Sequence, residues 1–475
     1  MPTIISSAAA GPIATMGVQQ LVATMREFRA RTLALVGDLD ERQMIGPRLA
    51  IVNPPLWEIG HVAWTQEFWV LRHLRGEKPI SPDSDRLYNS TDVAHDTRWE
   101  LLLPTRERTL GYMNEVIERA IARLDNAKEL SADEFYFYWL TTFHEGMHAE
   151  ALAYTRQTLG YPPPSFLPPI EFVDLDHRSC PGDVEIPGGT FTIGATKDFP
   201  FVFDNEKWAH EVELEPFRIA RAPVTNGEFL EFVEEGGYRE RQFWSDDGWQ
   251  WLESGGAPQL EKSFAKFFNK TLNEPMEVAA FQERLDHPVY WQPMDNGRWQ
   301  RRVYDRYELL NEDQPVVHVS WYEAQAFCNW AGRRLPSEAE WEVAASVERD
   351  RNGNKLNGQR RHYPWGEQAP VGKLANIDWQ SGGIVEVGAH AAGDSAFGCR
   401  QMIGNVWEWT ADDFQPYPGF SADPYKEYSQ PWFGSNKVLR GGCWATSSLL
   451  IRNSWRNFYT PDRRDVWAGF RTCAK

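Results

Sequence analysis

His144 and His148 stand four residues apart in His144-Glu-Gly-Met-His148. Four residues is close to one helical turn, so both imidazoles share a face and can reach one metal ion. A third histidine, His61, lies in another apolar stretch, flanked by Trp57, Trp64 and Phe68. In a helical bundle, facing helices lend inward side chains to a shared metal, and His61 is the candidate third ligand. Glu150, two residues past His148, points away from the pair by helical geometry and reads as a supporting group that holds an imidazole N–H. The same segment also spells H-E-x-x-H, the zinc-protease helix with Glu145 as general base. That reading lacks its third ligand. The metzincin extension wants Gly and His where Ala151 and Tyr154 stand, and a run from Pro162 to Pro169 occupies the place of a following helix. A third reading is a non-catalytic binding module, and His61 taken alone also reads as a hydrogen-bonded core residue.

The elements that must position these residues are helical up to about residue 160. Leu21, Met25, Phe28, Leu33 and Val36 recur at helical spacing and predict a helix over 18–36. A second helix starts after Asn53-Pro54-Pro55 and carries His61, since proline is tolerated where the first-turn N–H has no partner. A third is predicted over about 104–124. The fourth opens on Ser131-Ala-Asp-Glu134, a capping-box pattern, and carries both His144 and His148 to Gly160. Together they predict an up-and-down four-helix bundle over 16–160, with a long connection at 77–100. Residues 161–182 read as a proline-rich linker. From 183 to 475, short β-type runs (VEIPGGTFTIGA, EVELEPFRIARAPV, PVVHVSW, NKVLRGGCWA, WAGFRTC) alternate with helices at TNGEFLEFVEEGG, WYEAQAFCNWAGRRL and SEAEWEVAAS. The fold class is therefore multidomain, α followed by α+β. Residues 238–314 read as an irregular insertion rich in Trp and charge.

Composition excludes several classes of function. Lys and Arg number 49 against 67 Asp and Glu, a net charge of −18, which argues against nucleic acid or an anionic membrane as partner. No apolar stretch approaches the roughly 18 residues a membrane span needs. No Lys or Arg precedes Arg26 and no unbroken apolar run opens the chain, so no secretory signal is expected. The five cysteines are dispersed without C-x-x-C spacing, which points to reduced thiols in the cytoplasm. The 22 Trp and the aromatic share of 13% suit a rigid core or a pocket that cages a cation.

His61 with the H-x3-H-x-E segment resembles the DinB-like domain of the ergothioneine-type nonheme iron sulfoxide synthases. The second half resembles the formylglycine-generating enzyme, a sulfatase-modifying factor with a C-type-lectin-like fold. The motifs are IPGGTFTIG (186–194), PVTNGEF (223–229), PVVHVSWYEAQAFCNWAGRRLPSEAEWE (315–342), YPWGE (363–367), GNVWEWT (404–410) and LRGGCWA (439–445). The formylglycine generator binds copper through two cysteines just after its R-G-G motif. Here only Cys443 is present, with Thr446 and Ile451 where the pair would fall, so the domain resembles a pocket wall reused over the bundle's metal.

The resemblance implies Fe(II) on His61, His144 and His148, and O2-dependent joining of a sulfur or selenium donor to C2 of the imidazole of hercynine. Three neutral imidazoles leave three positions of an octahedral iron open, as oxygen activation requires. A structural calcium in the C-terminal domain is left open. Departures from the family pattern lie on the donor side. Met147, a candidate substrate contact, stands where the family frequently has a Gln that touches the bound imidazole. The N-S-Y-Y loop reads Asn89-Ser90-Thr91-Asp92, and N-W-D-x-P-x-R reads Asn457-Phe458-Tyr459-Thr-Pro461-Asp-Arg463. An Asp at the Tyr459 position would pair the donor's ammonium group; tyrosine cannot. Thr91, Asp92, Asn457, Phe458, Tyr459 and Arg463 are then candidate donor contacts, and Arg98 a candidate for an anionic substrate group. This pattern, with NPPLWEIGHVAW, resembles the selenoneine synthase branch, which uses a selenosugar; the alternative donor is cysteine or γ-glutamylcysteine. The family's proton-donating tyrosine falls at Tyr417 or Tyr425.

Overall fold

Prolines 54 and 55 set the start of the helix that carries His61, and a serine caps the one that carries the other two histidines. The computed structural model describes residues 17–124, 127, 129–168, 179–199, 201–256, 285–349 and 356–475. Expectations for the N-terminal tip, for 169–178 of the linker and for 257–284 of the insertion lie outside the described residues. Helix α1 spans Val18–Val36 and α2 spans Pro55–Gln66, widening into a π-helical segment over Glu67–His73. Helix α4 spans Arg106–Ala122, and α5 runs for 28 residues over Ala132–Leu159. The capping box of Ser131 and Glu134 opens α5, and Gly160 at φ +64° closes it, a left-handed cap that glycine adopts without strain. Helix α1 packs along α5, and α2 packs against both α4 and α5, which gives a four-helix bundle. Helices α1 and α2, consecutive in the chain, are not close-packed neighbours, nor are α4 and α5, so the up-and-down order expected from the sequence is corrected. The 77–100 connection is not an open loop. It holds the one-turn helix α3 (Ser84–Tyr88) and a 3-10 turn over His95–Thr97.

The second half is built on two four-stranded sheets. Strands β1 (Asp183–Ile186), β4 (Phe217–Ala220), β15 (Cys473–Ala474) and β8 (Arg333–Arg334) form one, in the order β1-β4-β15-β8. The other has the order β13-β12-β11-β14, from β13 (Asn457–Tyr459), β12 (Lys437–Arg440), β11 (Trp407–Asp413) and β14 (Ala468–Gly469). Helices α6 (Asn226–Glu234), α8 (Trp321–Trp330) and α9 (Glu338–Ser346) each begin with a capping box, which fixes their starts.

Two sequence expectations need correction. PVVHVSW forms no ladder strand, although Pro315 bridges to Thr225 and the Val316 N–H donates to the Val224 carbonyl. Val316 and Val319 are fully buried, so that apolar run marks burial rather than sheet. The described part of 238–314 is also more regular than expected. It contains α7 (Asp246–Glu253) and an antiparallel meander of β5 (Trp291–Pro293), β6 (Trp299–Val303) and β7 (Arg306–Leu309). The missed signal was Asn296-Gly297, a hairpin dipeptide whose glycine sits at φ +76°.

The two halves meet along α5. Glu150 is buried and accepts hydrogen bonds from Trp407 Nε1 and Thr446 Oγ1, both at 2.7 Å. It ties the bundle to the second sheet and holds no imidazole. Among the described residues, no helix is long and apolar enough to cross a membrane.

Candidate metal centre

His61 Nδ1 lies 2.8 Å from the carbonyl oxygen of Tyr88. A carbonyl only accepts, so Nδ1 carries the proton and Nε2 keeps its lone pair. Gly60 makes this contact possible, because a Cβ there would lie 2.2 Å from the Tyr88 ring. His148 Nδ1 is bonded to the Glu58 carboxylate, which likewise leaves Nε2 facing inward. His144 Nε2 stands 3.1 Å from His148 Nε2, and its buried Nδ1 has no partner among the described residues. One ligand atom from each histidine falls within 4.8 Å of the others. Lone pairs turned toward one point repel unless a cation lies among them, so this donor set fits a metal ion. It is an all-nitrogen set suited to iron, zinc or copper rather than calcium. Among the described residues no carboxylate cluster of the kind calcium takes is found.

The electrostatics keep His61 and His144 in ligand form. Burial, with repulsion from His148, pushes His61 down to about 3. Burial also holds His144 well below the usual histidine range, with His148 and His61 adding to the effect. For Glu58, burial opposes ionisation, but His148, His61 and Asn53 outweigh it and hold the carboxylate at about 2. Asn53 donates to Glu58 at 2.6 Å and accepts from Arg98, so a chain of polar contacts runs from Arg98 to His148. Arg98 is buried rather than on a solvated loop. Its guanidinium lies 3.8 Å from the Trp57 ring centre, and Trp57 stacks on His61 at 4.9 Å.

The C-terminal domain adds aromatic residues beside the histidines. Tyr425 lies 6.2 Å from the His144 ring and 6.0 Å from Trp69, and burial pushes its phenol above the ordinary range. The Tyr428 hydroxyl reaches the Met147 sulfur at 3.7 Å, and its ring lies 5.7 Å from Phe458. Met147, Tyr425, Tyr428 and Phe458 thus form one patch next to the histidine cluster. Tyr417 lies elsewhere: its hydroxyl bonds Glu338 at 3.2 Å and Arg456 covers its ring at 4.0 Å. Of the two sequence candidates, only Tyr425 is near the histidine cluster.

The remaining candidates are spread around this centre. On β13, Tyr459 lies beside Tyr154 and Glu150 of α5, with the Arg463 guanidinium 4.9 Å from its ring. Arg463 is closed by Asp465 through bonds of 2.5 and 2.6 Å. The Asn457 side chain accepts from the Phe458 N–H. Asn89 bonds both Thr91 and Asp92, which organises their loop. His95 turns Nε2 to the Val52 carbonyl at 2.7 Å and stands outside the cluster. Glu145 is bound by Arg29 at 2.7 Å in the bundle core, so it is not poised as a hydrolytic base.

Sequence reasoning missed Glu58, the Tyr88 carbonyl and Tyr428. Glu58 left a trace, since a lone carboxylate three residues before His61 shares its helix face within the apolar run PLWEIGHVAW. A backbone carbonyl leaves none.

Residues 24–152 match the DinB superfamily, and residues 171–475 match the sulfatase-modifying factor enzyme 1-like domain. Hercynine oxygenase of Mycobacterium tuberculosis is 34% identical over 457 residues, covering 95% of this chain and 98% of that protein. Hercynine oxygenase of Mycolicibacterium smegmatis is 33% identical, covering 93% and 96%. Formylglycine-generating enzyme of Streptomyces coelicolor is 31% identical but covers only 62% of this chain and 90% of its own. The formylglycine generator matches the second half alone, whereas the hercynine oxygenases match bundle and second domain together. The chain belongs to the hercynine oxygenase family, the ergothioneine-type sulfoxide synthases.

Proposed function

We propose that the protein uses O2 to join a chalcogen donor oxidatively to C2 of the hercynine imidazole. In this reading residues 16–160 hold the metal and residues 183–475 supply the pocket wall, joined by 161–182. The carrying observation is the convergence of three imidazole nitrogens within 4.8 Å, each on a helix of the bundle. His61, His144 and His148 would hold Fe(II), which when bound supplies the redox chemistry with O2. The chain's own residues have separate tasks. Glu58 and the Tyr88 carbonyl fix ring orientation, since a ligand histidine is positioned by whatever its other nitrogen bonds. Tyr425 keeps its proton at neutral pH and is placed to give it to a reacting group. The rings around His61 and His144 exclude water and attract a trimethylammonium group at about 0.5–2 kcal/mol per contact. The five unpaired cysteines suit a reducing compartment such as the cytoplasm.

The donor in this proposal is a selenosugar. A buried ammonium group needs a charged partner, or it costs several kcal/mol. Tyr459 offers no negative charge, the carboxylate of Asp465 is committed to Arg463, and Asp92 is exposed and bonded by Asn89. A sugar needs only neutral hydrogen-bond partners, which Tyr459, Asn457 and Thr91 can give. The test is a mass-spectrometric donor screen with hercynine, Fe(II) and air, comparing selenosugar, thiosugar, cysteine and γ-glutamylcysteine. The selenosugar is expected to lead cysteine and γ-glutamylcysteine in kcat/KM by about tenfold or more, roughly 1.4 kcal/mol. Tyr459→Asp should narrow the gap. Equal or better use of γ-glutamylcysteine would overturn the donor and leave the hercynine chemistry standing.

A further inference from the structure

Gln157 sits nine residues beyond His148 on α5, about 14 Å further along the helix axis. There the bundle meets the β5–β7 meander around a cavity of about 20 Å3. Polar atoms that line it are unpaired to an unusual degree. Arg301 Nε and Nη1, the Tyr304 hydroxyl, and the indole nitrogens of Trp444 and Trp467 close no hydrogen bond among the described residues, while the His318 ring stands against the Arg464 and Asp465 carbonyls. All five residues are more than nine-tenths buried, from Arg301 at 8% exposed to Trp444 at 0%. Four of them are contiguous: Trp467 lies 4.5 Å from His318, 5.3 Å from Trp444 and 6.3 Å from Tyr304, ring centre to ring centre. Tyr304 and His318 are held at φ +56° and +62°, a backbone strain that side-chain-bearing residues accept mainly at ligand sites and turns.

The chemistry of the lining selects the ligand. Guanidinium and indole nitrogens only donate, so their shared partner must accept several hydrogen bonds at once. The described lining contains Arg301 and Arg302 but no carboxylate. Arg302 is engaged by the carbonyls of Gln157 and Tyr304 at 2.6 and 2.7 Å, whereas among the described residues Arg301 bonds only the Gln314 side chain, through its other Nη. Burial lowers Arg301 to about 10, which leaves it charged at neutral pH, with Glu308 the attractive charge acting on it. Burial and then the two arginines push His318 down to about 3, although the carbonyls of Arg464 and Asp465 lie near its ring. A water molecule needs ~10–15 Å3, so the space admits one or two atoms of that size. Water accepts only about two hydrogen bonds and carries no charge to offset Arg301.

We propose that this cavity is an anion site taking one chloride-sized monovalent ion, bound by Arg301 and by the indole N–H groups of Trp444 and Trp467. The ion braces the seam where Gln157 already bonds the Arg302 carbonyl and the Tyr304 N–H. It is separate from the histidine centre, and its occupancy does not depend on the donor or on iron.

The test uses the full chain without iron. Its melting temperature is followed against sodium chloride, with sodium gluconate keeping ionic strength constant, and crystals soaked in bromide are examined by anomalous scattering. The account expects a melting temperature that rises and saturates with chloride, and a bromide peak in the cavity. Trp467→Phe keeps the ring and removes one donor, so it should raise the half-saturating chloride about fivefold. Arg301→Met should abolish the dependence. Should Arg301→Met fail to fold, the bromide peak and Trp467→Phe still decide. A melting temperature indifferent to chloride, or no bromide in the cavity, overturns the proposal.

Discussion

The histidine cluster and the aromatic patch beside it are built differently, although they touch. In the cluster, two of the three rings are anchored from behind, by the Tyr88 carbonyl and by Glu58, and all three stand on long helices. In the patch, Tyr425 and Tyr428 come from a single 3-10 turn within a loop and Phe458 from the short strand β13, and they meet through rings and a Met147 sulfur contact. Rigid helices fix what must stay the same, the ligand geometry. Loops tolerate change more readily, and in the proposed reading they carry the side of the site that meets the donor.

The sharpest way to break this comparison is to remove a ligand. His61→Ala, His144→Ala and His148→Ala should each lower bound iron to below about a tenth of an equivalent and end turnover, because two imidazoles hold Fe(II) weakly. Iron measured after anaerobic loading checks this. Next comes the patch. Tyr425→Phe should lower kcat about 100-fold, as loss of a general acid does, with iron retained. Tyr417→Phe, bound to Glu338 away from the cluster, should leave kcat within a few fold, about twofold to threefold. Glu58→Gln tests the anchoring itself and should weaken iron binding by about 10–100-fold with the fold intact.

The smallest effect concerns acid. In the iron-free protein, His61 and His318 both sit at about 3, against 6.5 for an ordinary histidine. The unfolded chain therefore takes up protons between pH 6.5 and 3 that the folded chain refuses. Stability from these two groups is complete above pH 6.5 and falls as pH drops toward 3, by the order of a few kcal/mol. Denaturant midpoints measured across that range check the sign.

How far the sequence could reach follows the same division. The bundle and its His144–His148 pair were readable because helical periodicity and a capping box are local signals. So was the family, whose motifs spread over both halves. Glu150 was misread because its partners, Trp407 and Thr446, lie more than 250 residues away along the chain. The choice between Tyr417 and Tyr425 stayed open for the same reason, since only tertiary packing puts one beside His144 and the other beside Glu338. The unpaired groups around His318 left no trace at all, because an unmade hydrogen bond is a property of packing and not of spacing.

The most direct test of the central claim is oxygen uptake by the anaerobically purified chain loaded with one equivalent of Fe(II), with and without hercynine, donor present throughout. The account predicts uptake that requires hercynine, stops in His144→Ala, and is unaffected by added zinc-protease substrates. Equal oxygen uptake without hercynine, or full uptake by His144→Ala, would contradict it.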